Sequence, residues 1–176
     1  LSYLNEYVKT HKKFSFSEAK EIVFKALSVL GEDYLNNLSK AFDERWIDIY
    51  PNKGKVSGAY SSGSYDTNPF ILLNFNGTLN DISTLAHELG HSMHSYYSRR
   101  DNPYQYSGYR IFVAEVASTV NELLLANYLL NNSNDEKLKL VVLNDLLDMF
   151  KGTIYRQTMF AEFEKKMYDI EENKEV

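Results

Sequence analysis

The 176-residue sequence contains no cysteine. Disulfides and thiolate metal sites are therefore excluded, and the redox compartment is left open. Basic charge is also scarce: 19 Lys and Arg against 24 Asp and Glu give a net charge of -5. That balance supports solubility and lacks the basic footprint on which nucleic-acid binding relies. There is no run of eighteen apolar residues and no charged-then-apolar leader, so neither a membrane span nor a signal peptide is expected. An initiating Met is missing too. The chain opens at Leu1 inside an amphipathic pattern, which favours processing or truncation upstream.

What is present is a folding composition, 44% apolar and 14% aromatic. The length suits one domain or a piece of a larger one. Fourteen tyrosines are many for this length. Each joins an apolar body to a hydroxyl, which suits wet core edges or, alternatively, a substrate cleft.

Local signals divide the chain into four stretches. Residues 1–45 read as helices: Leu1 to Thr10 as a helix tail, then a capping box at Ser15-Phe16-Ser17-Glu18. A periodic run of Ile22, Phe24, Ala26, Leu27 and Leu30 follows and ends at Gly31. A second helix is expected over 34–44. Residues 46–80 read as a small β and loop region. Trp46 to Tyr50 alternates like a short strand, Pro51 to Gly54 is a turn, and Phe70 to Phe75 is a second strand. The Gly- and Ser-rich stretch between them is read as folded against a sheet edge. Residues 81–130 hold two helices, placed at 81–98, capped by Asn80 or Asp81, and at 109–130. A long helix over 135–172 closes the pattern, with Gly152 as a point of interruption or bending. The fold class is mainly α and zincin-like, a helical bundle with a small β-sheet edge beside the helix that carries His87-Glu88-Leu89-Gly90-His91.

That pentapeptide carries the chemistry. At 100° per residue, Ile82, Leu85, Ala86, Leu89, Met93 and Tyr96 form one apolar stripe, while His87 and His91 point together on the opposite side. Imidazoles four residues apart can converge on one zinc ion. Glu88 is too close in sequence to His87 to join them as a ligand, but it can reach a water, as a metalloprotease general base does. His94 shares the face, yet stands about 10.5 Å from His87 along the axis. It is assigned to the cleft wall, or to supporting a ligand. The metzincin pattern would need Gly at 94 and His at 97, where this chain has His94 and Tyr97.

A catalytic zinc needs a third protein ligand and an open position. Glu115 is the best donor. With Ser118 and Glu122 it forms a polar stripe on a helix otherwise made of Ile, Val, Ala and Leu, and burial of such a stripe is expensive unless a cation compensates it. Glu122 can accept an imidazole N–H from behind a ligand. Zn2+, one per chain, would then activate water for attack on a peptide carbonyl, with Glu88 moving the proton.

HELGHSMHSYYS followed by FVAEVASTVNE resembles the M3 zinc oligopeptidases, specifically the oligoendopeptidase F branch. GKVSGAYS and PFILLNFNGT are similar to the same branch, and the likeness runs from about Trp46 to Glu164. It implies His87, His91 and Glu115 as zinc ligands and Glu88 as the catalytic glutamate. It also implies that Gly58, Ala59 and Tyr60, and the strand from Phe70 through Ile71 and Leu72 to Phe75, line a cleft where an extended peptide pairs by its backbone. Members are several hundred residues long and two-lobed, and their oxyanion-steadying Tyr and His lie downstream. The resemblance therefore implies the metal-binding catalytic core of a larger cytoplasmic endopeptidase acting on short unfolded peptides. Its partners would be those peptides and a missing lobe or complementary chain.

Two rivals stand beside this reading. An aminopeptidase would need a cluster for a free amine, and no glycine-flanked Met-Glu-Asn strand supplies it. A non-catalytic helical module, with structural zinc or none, is encouraged by Leu138, Val141, Val142, Leu146, Met149 and Phe150, which need a surface to cover.

Overall fold

The computed structural model describes residues 12–173. The helix tail expected before Thr10 lies outside them. The described residues fall into two compact units, one ending at Asn132 and the other beginning at Ser133.

In the first unit, α1 (Phe16–Leu27) starts at the expected capping box. The Ser15 hydroxyl accepts from the Glu18 N–H, and Glu18 accepts from the Ser15 N–H at 2.7 Å. Ala19, Val23, Ala26 and Leu27 are buried. Leu30 is not part of that face: a single 3-10 turn carries Ser28–Leu30 outward to Gly31. Gly31, at φ 90°, caps α2 (Glu32–Asp43), so this helix begins before the expected Tyr34. Glu32 and Asp33 then fall in its first turn, where carboxylates meet the positive end of the helix dipole.

Three short strands follow: β1 (Ile47–Asp48), β2 (Tyr60–Ser62) and β3 (Phe70–Leu72). Their order is β1-β3-β2, with β1 parallel and β2 antiparallel to β3. Trp46, Ile71, Leu73 and Phe75 anchor this sheet in the core. The polar stretch before β3 is held by two clamps. Lys55 Nζ donates to the Asp48 and Tyr50 carbonyls and pairs with the Asp48 carboxylate at 3.1 Å. Asn74 Nδ2 donates to the Val56 and Gly58 carbonyls, both at 2.9 Å.

Helix α3 (Leu79–Asp101) begins earlier than expected, because Thr78 is the cap and Asp81 its reciprocal partner. Neither Asn80 nor Asp81 caps it. Ile82, Leu85, Ala86, Leu89 and Met93 are almost wholly buried, as the stripe requires. After a 3-10 turn at Tyr104–Tyr106, α4 (Ile111–Asn132) packs along α3. The fold is mainly α, with a three-stranded sheet whose edge strand touches the HELGH helix.

In the second unit, α5 (Glu136–Phe150) is capped by Asp135, whose side chain accepts from the Lys137 and Leu138 N–H groups. The helical pattern expected over 135–172 changes form at Gly152. A π-helical segment, Lys151–Tyr155, contains Gly152 and leads into α6 (Arg156–Glu172). Leu138, Val141 and Val142 are buried, whereas Phe150 is exposed and α6 has no buried residue among those described. No helix among the described residues is long and apolar enough to cross a membrane.

Candidate metal centre

His87 and His91 sit one turn apart on α3, and α4 brings Glu115 to them. The two Nε2 atoms are 3.1 Å apart. Glu115 Oε2 lies 3.4 Å from His87 Nε2 and 3.2 Å from His91 Nε2. A tetrahedron with metal bonds of about 2.0–2.1 Å has edges of roughly 3.3–3.4 Å. The three donor atoms have nearly that spacing.

Hydrogen bonds around the cluster fix what these atoms offer. His87 Nδ1 donates to Glu122 Oε1 at 2.5 Å, and in the neutral ring this leaves the lone pair on Nε2. His91 has its backbone partner in the Ala114 carbonyl. The tautomers that satisfy both acceptors turn two lone pairs and a carboxylate oxygen toward one point. With both rings neutral in those tautomers the three atoms are acceptors that suit a cation, and the residues fit zinc in type as well as spacing. Ser118 Oγ steadies the carboxylate by donating to Glu115 Oε2 at 2.7 Å.

Burial is the strongest single influence on the His87 pKa and pulls it down. The Glu122 hydrogen bond and the charges of Glu122, Glu88 and Glu115 outweigh it, and the net direction is up. For His91, burial dominates and the net direction is down.

Glu88 is 6% exposed, and its Oε2 is buried without a hydrogen-bond partner. Burial raises its pKa, with the Glu115 charge adding to the rise, while His87 and the Ser61 backbone N–H oppose it. A carboxylate in this position is a stronger base than one in water. It opens on a cavity of about 370 Å³ lined by Ala59, Asn80, Ser83, Thr84, His87 and Glu122.

The stripe on α4 is less buried than its chemistry suggests. Glu122 is 21% exposed at its side chain, but Glu115 is 64% exposed. Convergence on the histidines does not depend on enclosure. His94 stands apart from the cluster; its ring stacks on Tyr109 with centroids 3.8 Å apart.

The expected peptide-lining residues divide. Ala59 borders the cavity beside His87 and Glu88, and with Gly58 it also lines an adjoining cavity of about 240 Å³. Tyr60 and Phe70 are about half exposed, while Ile71 is 2% exposed and belongs to the core. Backbone pairing at Phe70, Ile71 and Leu72 needs correction. β3 is the middle strand, paired on both sides over these residues, so its hydrogen-bonding groups are committed. The edge strands are β1 and β2, and β2 is the one that meets α3.

Several residues matter that the motif did not single out. A Cβ at Gly90 would lie 2.6 Å from Ser118 Cα and 2.7 Å from the Ala117 carbonyl oxygen. Only glycine lets α4 come this close. Buried Asn121 donates to the Ala86 carbonyl at 3.0 Å and to the Tyr34 hydroxyl at 3.2 Å, tying α4 to α3 beside His87. The glycine inside HELGH, facing the small residues Ala117 and Ser118, was the available signal for this contact.

Fold and cluster together define a mainly α protein in which two helices present a His-His-Glu chelate beside a buried carboxylate. The model of peptidase family M3 matches residues 5–176, and the chain belongs to that family. It is 57% identical over 152 residues to oligopeptidase PepF of Bacillus subtilis (strain 168), covering 86% of this chain and 23% of that protein. It is 51% identical over 164 residues to the chromosomal oligoendopeptidase F of Lactococcus lactis subsp. cremoris, covering 93% and 27%. A peptidase crystal structure from Chlamydophila abortus superposes with a TM-score of 0.82 at 45% identity, over 90% of this chain and 27% of that one. The chain thus spans about a quarter of the length of these relatives.

Proposed function

We propose that the chain forms the metal-binding core of a cytoplasmic zinc oligopeptidase, which hydrolyses internal bonds of short unfolded peptides. The observation that carries this reading is the meeting of His87 Nε2, His91 Nε2 and Glu115 Oε2 beside the buried, unpartnered oxygen of Glu88. Relatives bearing the names oligopeptidase and oligoendopeptidase support the substrate class.

His87, His91 and Glu115 would hold the ion, which when bound supplies Lewis acidity toward water and a peptide carbonyl. Glu122 holds the His87 ring with its lone pair turned to the cluster. Glu88 takes a proton from the attacking water and delivers it to the nitrogen of the departing amine. Bound peptide lies against Ala59 and the outer edge of β2. The group that steadies the oxyanion, and the surface that covers α4, come from another part of the enzyme or from a complementary chain.

One observation favours a second reading, a non-catalytic helical module. Ile111 and Phe112 at the start of α4 are 91% and 92% exposed, and such a face fits a binding surface as well as it fits an enzyme core. Bound metal and cleavage of an internally quenched peptide, measured for wild type and Glu88→Gln, separate the two. The peptidase reading expects about one zinc per chain in both proteins and a loss of roughly 10²–10⁴-fold in the variant's cleavage rate. Equal cleavage by both removes Glu88 as the base. Zinc without cleavage in either supports an incomplete catalytic core or the module.

A further inference from the structure

Beyond the ligands and the base, we propose that Ser92, acting through Ser61, is a positioning residue for Glu88: the two hydroxyls hold β2 against α3 so that a main-chain N–H fixes the carboxylate. This inference rests on Glu88 being the general base.

Ser92 follows Glu88 by four residues, so the two side chains share a face of α3. Ser92 is fully buried there. Its Oγ lies 2.8 Å from Ser61 Oγ, across a gap of 31 residues in sequence. Ser61 is the middle residue of β2, opposite Ile71 of β3. Its own backbone N–H is near enough to the Glu88 carboxylate to favour the charged form. One residue of the edge strand therefore grips α3 with its side chain and Glu88 with its main chain.

β2 has little else to locate it against the helix. It is three residues long, and Tyr60 and Ser62 on either side of Ser61 are exposed. The ladder to β3 sets its register, and its approach to α3 is left to polar contacts. Apart from the serine pair, the nearby polar tie is Arg99 Nη2 donating to the Gly63 carbonyl at 2.8 Å. That bond lies two residues beyond Ser61 and seven beyond Ser92, too distant to hold the N–H on Glu88. Without the hydroxyl pair, the carboxylate can leave the orientation in which it takes a proton, although the ligand side chains stay where they are.

The test measures kcat, KM, bound zinc and melting temperature in the active, zinc-loaded protein for Ser92→Ala, Ser61→Ala, Ser61→Thr and the double alanine variant. Each single alanine change is expected to lower kcat about five- to tenfold, with KM and zinc content nearly unchanged. The double variant should be no slower than the singles, because both remove one interaction. Ser61→Thr, which keeps the hydroxyl, should restore kcat. A lower melting temperature with unchanged kcat would reduce the pair to a packing contact and overturn the proposal. Multiplicative losses in the double variant, zinc loss in either single, or a threonine variant as slow as alanine would also overturn it. Full cleavage by Glu88→Gln would instead strike the general-base reading, so the two failures remain distinguishable.

Discussion

At the scale of single residues, the His87 ring is held from one end and offers the other. Glu122 accepts its Nδ1–H, and nothing in Glu122 reaches the chelating point itself. Glu122→Ala should therefore weaken zinc about 10–100-fold, as loss of a ligand's hydrogen-bond partner does. Competition with a colorimetric chelator measures this. Tyr34 carries a different prediction. Burial raises its pKa to about 12, partly opposed by the hydrogen bond with Asn121. An unfolded chain releases this proton near pH 10. The stability it contributes is therefore whole below about pH 10 and is lost as pH rises toward 12. Denaturant midpoints for wild type and Tyr34→Phe should diverge across that window, with the wild type falling faster. Residue identities at the cluster were legible in the sequence because i, i+4 spacing and an acid on an apolar helix are local signals. The openness of Glu115 was not, because exposure depends on what other segments cover.

At the scale of elements, the approach of α4 to α3 is set by Gly90. Gly90→Ala would place a methyl 2.6 Å from Ser118 Cα, a backbone atom that cannot rotate away. The helices must separate, at a cost of about 1–3 kcal/mol for overpacking. Zinc affinity should fall as well, although every ligand is intact; calorimetry and metal titration on the same variant check both. The start of α3 was misread for a related reason. Asn80, Asp81 and Thr78 are all good caps, and only the reciprocal bonds between Thr78 and Asp81 choose among them. Thr78→Ala should cost about 1 kcal/mol in denaturant unfolding. Strand order was equally hidden. An apolar run such as Phe70 to Phe75 announces burial but does not tell a middle strand from an edge. The place of the irregularity at Gly152 was legible, but its form was not: a π segment keeps the chain helical through it, and no local residue signal marks that hydrogen-bond pattern.

At the scale of the whole molecule, an ion that binds only the folded cluster must stabilise it. Chelator treatment should lower the melting temperature and speed amide exchange in α3 and α4, and restored zinc should reverse both. Large apolar side chains stay exposed in each unit, among them Ile111 and Phe112 on α4 and Phe160 and Phe163 on α6. A hydrophobic dye should bind this protein in its native state, and Phe112→Ser should reduce that signal without lowering the melting temperature.

The close contact at Gly90 also bears on which ions the centre can admit. With the main chains of two rods touching, any adjustment at the centre falls to the side chains that reach across from them. Calcium asks for six to eight oxygens at about 2.3–2.6 Å, and a pair of imidazoles with one carboxylate does not supply them. Titration with the two ions in competition should therefore show the smaller one displacing the larger.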